Sequence, residues 1–156
     1  MPFGGGEERQ LALLLCDMRE FTPFVERHPA HDVIHIINRF FTAVGEAILL
    51  NDGLICQYVG DEITGPFGVE TASAERCCLA GVRAGLGMLA ALDRLNIDLR
   101  AEFNTELRIG VGPHFGSVLV GRVGHPSWEE FAVVVAEAWR GFIDSILHLM
   151  SHGAVG

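Results

Sequence analysis

The stretch L-A-L-L-L-C at 11–16 is apolar without a break, and Asp17 follows it directly. A continuous apolar run of this length predicts a buried strand, not one with a wet face. Such a strand must be covered by other elements. At 156 residues and 49% hydrophobic, the chain can build one domain with a core of that kind.

Helical spacing supplies the cover. Thr22-Pro23 is a helix start, and Pro29 divides that short helix from a longer one. Over His31–Leu50, apolar residues fall at Val33, Ile36, Ile37, Phe40, Phe41, Val44, Ala47 and Ile48, one face of a helix stopped by Asn51-Asp52-Gly53. Leu54–Val59 and Ile63–Phe67 predict a hairpin around Gly60-Asp61. Residues 73–95 predict a second long helix with Leu79, Val82, Leu86 and Leu89 turned inward. Leu107–Val111 and Ser117–Val120 predict a hairpin turned by His114-Phe115-Gly116, followed by a loop at Gly124–Pro126 and a strand at Phe131–Val135. A last amphipathic helix carries Phe142, Ile143, Ile146, Leu147 and Met150. This order predicts an α+β, ferredoxin-like sandwich: a mostly antiparallel sheet with helices on one face. The end of the first strand then lies beside the first hairpin turn, and Asp17 and Asp61 converge. Two such carboxylates can hold a pair of divalent cations over a nucleoside triphosphate, which points to phosphoryl chemistry.

Charge narrows the partners. The formal net charge is -9, which argues against nucleic acid and anionic lipid but leaves room for a metal-borne nucleotide. All 11 residues in the Lys+Arg count are arginine. No apolar run reaches the roughly 18 residues of a membrane span, and the start has no signal-peptide pattern, so a cytoplasmic protein or an excised domain is expected. The four cysteines lack C-x-x-C spacing and are expected to be buried and reduced.

Four motifs in order resemble class III adenylate and guanylate cyclases: L-L-L-C-D-M-R-E-F-T, then I-I-N-R-F-F, then Y-V-G-D-E-I-T-G-P-F-G, then L-R-I-G-V-G-P-H-F-G-S-V-L-V-G-R-V-G-H-P. The resemblance spans residues 11–134. Residues 1–9 are expected to be a flexible leader, and the resemblance implies one cyclase-like domain at 10–156, with a divergent C-terminal helix at 135–156. It implies two Mg²⁺ or Mn²⁺ ions held by Asp17, Asp61 and the main-chain carbonyl of Met18. One ion polarises the ribose 3′-hydroxyl of ATP or GTP, the other grips the triphosphate, and cyclic AMP or cyclic GMP and pyrophosphate result. Main-chain N–H groups of Arg19, Glu20, Phe21 and Thr22 are implied to cradle phosphate, with Gly60 shaping the turn beside Asp61. Many members of the family have glycine where this chain has Glu20.

Family sites form between two chains arranged head to tail, and the complementary set departs here. The purine-contacting lysine falls at Gln57, whose amide suits either base. The second purine position falls at Ala132, the ribose-orienting asparagine at Trp139, and the transition-state arginine at Ile143, with Arg140 three residues away. The alternatives are therefore an active homodimer, a heterodimer with a complete cyclase chain, a degenerate module acting through dimerisation or regulatory nucleotide binding, and a truncated or frame-altered fragment. Blander readings hold elsewhere. His28, His31 and His35 form a solvated helix face, His114 a turn residue, and Cys77-Cys78 a packing pair. Phe40 and Phe41 are core and dimer-contact residues. Glu62 beside Asp61 suggests the G-G-D-E-F motif of diguanylate cyclases, but Val59 stands where that motif needs glycine.

Overall fold

A computed structural model describes residues 6–59, 62–68 and 73–134. Among the described residues, five strands and three helices follow in the order β1 (Glu7–Met18), α1 (Phe21–Arg27), α2 (Ala30–Leu49), β2 (Gln57–Val59), β3 (Glu62–Phe67), α3 (Ala74–Phe103), β4 (Ile109–His125) and β5 (Trp128–Val134). They form one sheet in the order β2-β3-β1-β4-β5, and each pairing is antiparallel. The predicted α+β sandwich is what the chain adopts. β1 lies at its centre, which is why its run tolerates no polar residue.

The two faces of β1 enter different cores. Ala12, Leu14, Cys16 and Met18 face the helices and pack with Phe24, Ile36, Phe40, Val44, Ile48, Ala84, Met88 and Leu99. Leu11 and Leu13 face the other way and pack with Val118, Val120, Leu54 and Cys56. Alternation along the strand therefore places Asp17 on the face away from the helices. Burial pushes the Cys16 thiol up to about 12, with the Asp17 charge adding to it. Burial also pushes Cys56 up to about 12. Both remain protonated, inert thiols, and none of the four cysteines is in a disulfide.

Helix α2 buries the face that its spacing predicts, with Ile36, Phe40, Val44 and Ile48 fully enclosed. Helix α3 does not. Leu79, Val82, Leu86 and Leu89, expected inward, are exposed at 46%, 48%, 64% and 45%. The inward face carries Cys77, Gly81, Ala84, Gly85, Met88, Leu92, Leu95 and Leu99 instead. Small residues there bring the helix close over the sheet: a Cβ on Gly85 would lie 3.4 Å from Val111 Cγ1 and 3.6 Å from Leu14 Cδ1. Close approach selects small side chains, so the bulkier stripe faces out. Helix α3 also runs past residue 95 to Phe103, where Asn104 caps it in the left-handed region at φ 51°.

The second expected hairpin is absent. β4 is continuous through His114-Phe115-Gly116, because β1 pairs with it residue by residue, Leu11 to Gly116, Leu13 to His114 and Leu15 to Gly112. A full ladder outweighs local turn preference. The reversal comes at Pro126-Ser127 instead, which joins β4 to β5. The same ladder draws in residues 7–9, expected in the leader: Glu7 pairs with Val120 and Arg9 with Val118. The predicted C-terminal helix lies outside the described residues.

Behind α2, Gly53 sits where a side chain has no room. A Cβ there would fall 2.6 Å from Phe67 Cε1 and 2.7 Å from Ile48 Cγ2, both fully buried. Gly53→Ala is expected to lower stability by about 1–3 kcal/mol, the range for forced overpacking. A urea midpoint shift at constant slope measures it, and an unchanged midpoint contradicts the crowding.

Candidate active site at the end of the first strand

Asp17 is the penultimate residue of β1 and stands between two strand neighbours, Glu62 on β3 and Gly110 on β4. Its side chain is 28% exposed. Residues directly opposite in a ladder share a face, so the Asp17 and Glu62 carboxylates point to the same side. Like charges in that position repel unless a cation lies near. Asp61 and Gly60 lie outside the described residues, but Asp61 is one peptide bond from Glu62. A set of carboxylate oxygens at the ends of β1 and β3 is the donor chemistry that Mg²⁺ and Mn²⁺ take. The residues present fit such ions.

The chain brings one cation of its own. Arg19 Nη1 lies 3.9 Å from Asp17 Oδ2, and the Arg19 side chain is 19% exposed. Its main-chain N–H donates to the Arg108 carbonyl at 2.7 Å. The guanidinium rests on Gly110, where a Cβ would fall 2.7 Å from Cζ and 2.9 Å from Nε. The motif reading missed both the Arg19 side chain and Gly110. No signal in the sequence marked them, because only the β1–β4 pairing sets Gly110 opposite Asp17.

Met18 is 3% exposed and sends its side chain into the core, so only its main chain is available to a ligand. The turn at 19–20 then leads into α1. Glu20 is its N-cap, at φ 54° in the left-handed region. Its carboxylate meets Arg108 Nη2 at 3.3 Å, and both side chains are well exposed, at 64% and 59%. It is therefore turned toward solvent. The Arg19 N–H, expected to cradle phosphate, is already spent on Arg108. Phe24 bonds back to the Glu20 carbonyl at 3.1 Å, and Pro23 has no N–H, which leaves Phe21 and Thr22 as the open donors of the first turn. Glu20→Gly is expected to raise stability by about 0.5–1 kcal/mol. It removes a left-handed non-glycine residue worth about 1–2 kcal/mol and loses only an exposed pair. Chemical unfolding checks the sign, and a lower midpoint contradicts it.

Gln57 is placed by the backbone in β2, opposite Thr64, and Ala132 in β5, opposite Gly121. Trp139, Arg140 and Ile143 lie outside the described residues. His31 pairs with Asp32 at 3.0 Å and is largely exposed, and His35 is exposed beside Phe103. His28, expected on a solvated face, is half-buried: its Nδ1 lies 2.9 Å from the Phe24 carbonyl oxygen. It closes α1 instead. His114, expected in a turn, is a half-buried strand residue opposite Leu13, and burial lowers its pKa below the usual histidine value. Phe40 is core and Phe41 packs against it. Among the described residues no group of three or more His, Cys, Asp or Glu side chains is gathered for a metal. None of the described helices is long and apolar enough to cross a membrane.

Comparison with known proteins adds an independent line. The sequence model of the family described as "Adenylate and Guanylate cyclase catalytic domain" matches residues 6–135. An uncharacterised protein of Mycobacterium tuberculosis is 31% identical over 132 residues, 83% of this chain and 21% of its own length. An adenylate cyclase of Anabaena cylindrica is 27% identical over 135 residues, 84% of this chain and 26% of its own length. The chain thus spans about a fifth to a quarter of these relatives. Among solved structures, the guanylyl cyclase Cya2 superposes with a TM-score of 0.81 at 28% identity, covering 88% of this chain and 70% of that one. The adenylyl cyclase CyaB from P. aeruginosa gives the same TM-score at 24% identity, covering 89% and 71%, a likeness of fold.

Proposed function

The chain belongs to the family of adenylate and guanylate cyclase catalytic domains, and from that premise we propose that it closes ATP or GTP to the 3′,5′-cyclic nucleotide with release of pyrophosphate, as a signalling enzyme of the cytoplasm. The observation that carries this reading is Asp17 at the end of β1, opposite Glu62, which follows Asp61 in the sequence. Asp17, Asp61 and the Met18 carbonyl would hold two Mg²⁺ or Mn²⁺ ions. Such ions supply charge stabilisation to the attacking 3′-oxygen and to the departing pyrophosphate.

The chain's own residues do the rest. β1 holds Asp17 at a paired strand end, so little reorganisation of that carboxylate is needed as charge develops. The open N–H groups of Phe21 and Thr22 would receive phosphate oxygens, with Glu20 directed away from them toward Arg108. Gln57 would meet the base, with an amide that serves adenine or guanine.

A specific departure favours a second arrangement. The chain contains no lysine, and the positions for purine and transition-state recognition hold Gln57, Ala132, Trp139 and Ile143. In that arrangement the chain gives its metal half-site to a head-to-tail heterodimer with a complete cyclase chain, or acts as a regulatory module. The test mixes this chain with a complete cyclase chain whose own metal aspartates are substituted. Cyclic nucleotide formed only in the mixture identifies a donated half-site. Turnover by this chain alone with Mn²⁺ identifies the homodimer. No turnover in either case, with no Mn²⁺-dependent nucleotide binding, overturns both.

A further inference from the structure

We propose that Arg19 is a resident counter-ion that competes with the divalent cation for Asp17 and so sets the metal concentration at which the site fills. This rests on the reading of Asp17 as a metal ligand. Three observations carry it. First, Asp17 and Glu62 are opposed across the β1–β3 ladder, so the site concentrates negative charge before any ligand arrives. Second, the Arg19 guanidinium lies 3.9 Å from Asp17 Oδ2, with side chains only 19% and 28% exposed, so water screens the pair incompletely. Third, the guanidinium has a built seat. Gly110 lies across the ladder from Asp17, and any Cβ there would collide with the guanidinium. The main chain of Arg19 is pinned as well, by its bond to the Arg108 carbonyl.

A seated cation lowers the free energy of the ligand-free carboxylates. A divalent ion arriving at Asp17 must overcome that attraction or push the guanidinium off Gly110. Removing the charge should therefore tighten metal binding, and so should evicting the guanidinium while keeping its charge in the chain. The effect is independent of turnover.

The experiment titrates Mn²⁺ into the chain and follows free Mn²⁺ by electron paramagnetic resonance, without nucleotide. Arg19→Gln and Gly110→Ala are each expected to tighten Mn²⁺ binding by roughly 5–30-fold, the factor expected when one positive charge is removed from beside a site for a divalent ion. Arg19→Lys, which keeps the charge, is expected to stay within about twofold of the parent chain, well below that range. Circular dichroism confirms folding, and if Gly110→Ala does not fold, Arg19→Gln decides alone. Unchanged or weaker binding in folded Arg19→Gln overturns the proposal, as does equal tightening in Arg19→Lys, which would make shape and not charge the cause. Asp17→Asn separates the two levels. If Mn²⁺ binds the parent chain and Arg19→Gln without regard to Asp17, the metal reading itself fails.

Discussion

Asp17→Asn is expected to reduce cyclic nucleotide formation by more than about 100-fold, whether the chain acts alone or lends its half-site to a partner. Even an outer partner of a metal ligand costs about 10–100-fold in affinity or activity, and Asp17 is proposed as a ligand itself. Asparagine keeps the shape and loses the charge. It sits at a strand end with a partly exposed side chain, so folding should change by less than about 1 kcal/mol. Loss of turnover with an unchanged unfolding midpoint is the expected pair of results. Turnover within tenfold of the parent would remove Asp17 from the chemistry. Asp61→Asn is expected to behave the same way in the same assay.

Asn96→Ala is expected to lower stability by about 2–5 kcal/mol, a large share of the roughly 5–15 kcal/mol of a typical domain. Asn96 sits inside α3 at 8% exposure. Its Nδ2 donates to the Leu107 carbonyl at 2.8 Å, and its Oδ1 accepts from the Leu107 N–H at 2.8 Å. One amide thus satisfies both main-chain groups of a residue just before β4. Alanine leaves both groups buried and unpaired, and an unmade bond costs more than a made one contributes. The effect should reach the site, because the segment from Leu107 leads to Arg108 and Gly110, the two contacts that seat Arg19. Urea unfolding reads the loss. A loss below about 1 kcal/mol would mean that Leu107 finds other partners and that the clamp is dispensable.

The two substitutions act on different links of one chain of cause. Asn96 holds a helix to the start of a strand, and that strand presents Gly110. Gly110 admits Arg19, and Arg19 lies beside Asp17. A purely chemical lesion at Asp17 should leave stability intact. A structural lesion at Asn96 should lower stability first and loosen the Arg19 seat second.

Some of this was legible in the residues. The unbroken run at 11–16 announced the central strand, and the spacing in α2 named its buried face. Both depend on short-range pattern, which a linear sequence carries in full. The stripe Leu79, Val82, Leu86 and Leu89 misled because periodicity marks an apolar face without saying what opposes it. The sheet accepted the glycine and alanine face instead, since a helix packed that close leaves no room for leucine. His114-Phe115-Gly116 misled for a related reason. Its local turn preference met a twelve-residue partner strand, and the ladder prevailed. Residues 7–9 carried no apolar signal and became strand through the same pairing.

For the site, the sequence by itself determined the family motifs, the position of Asp17 at a strand end and the absence of lysine. It also marked Glu20 as unusual, though not that its carboxylate would turn to Arg108. Tertiary structure alone decided that Glu62 faces Asp17, that the Arg19 N–H is spent on Arg108, and that Gly110 seats the guanidinium. The physical reason is register. Which residues face Asp17 from β3 and β4 depends on pairings with positions 45 and 93 residues away. A one-residue slip in any of them would turn Asp17 or its neighbours to the opposite face.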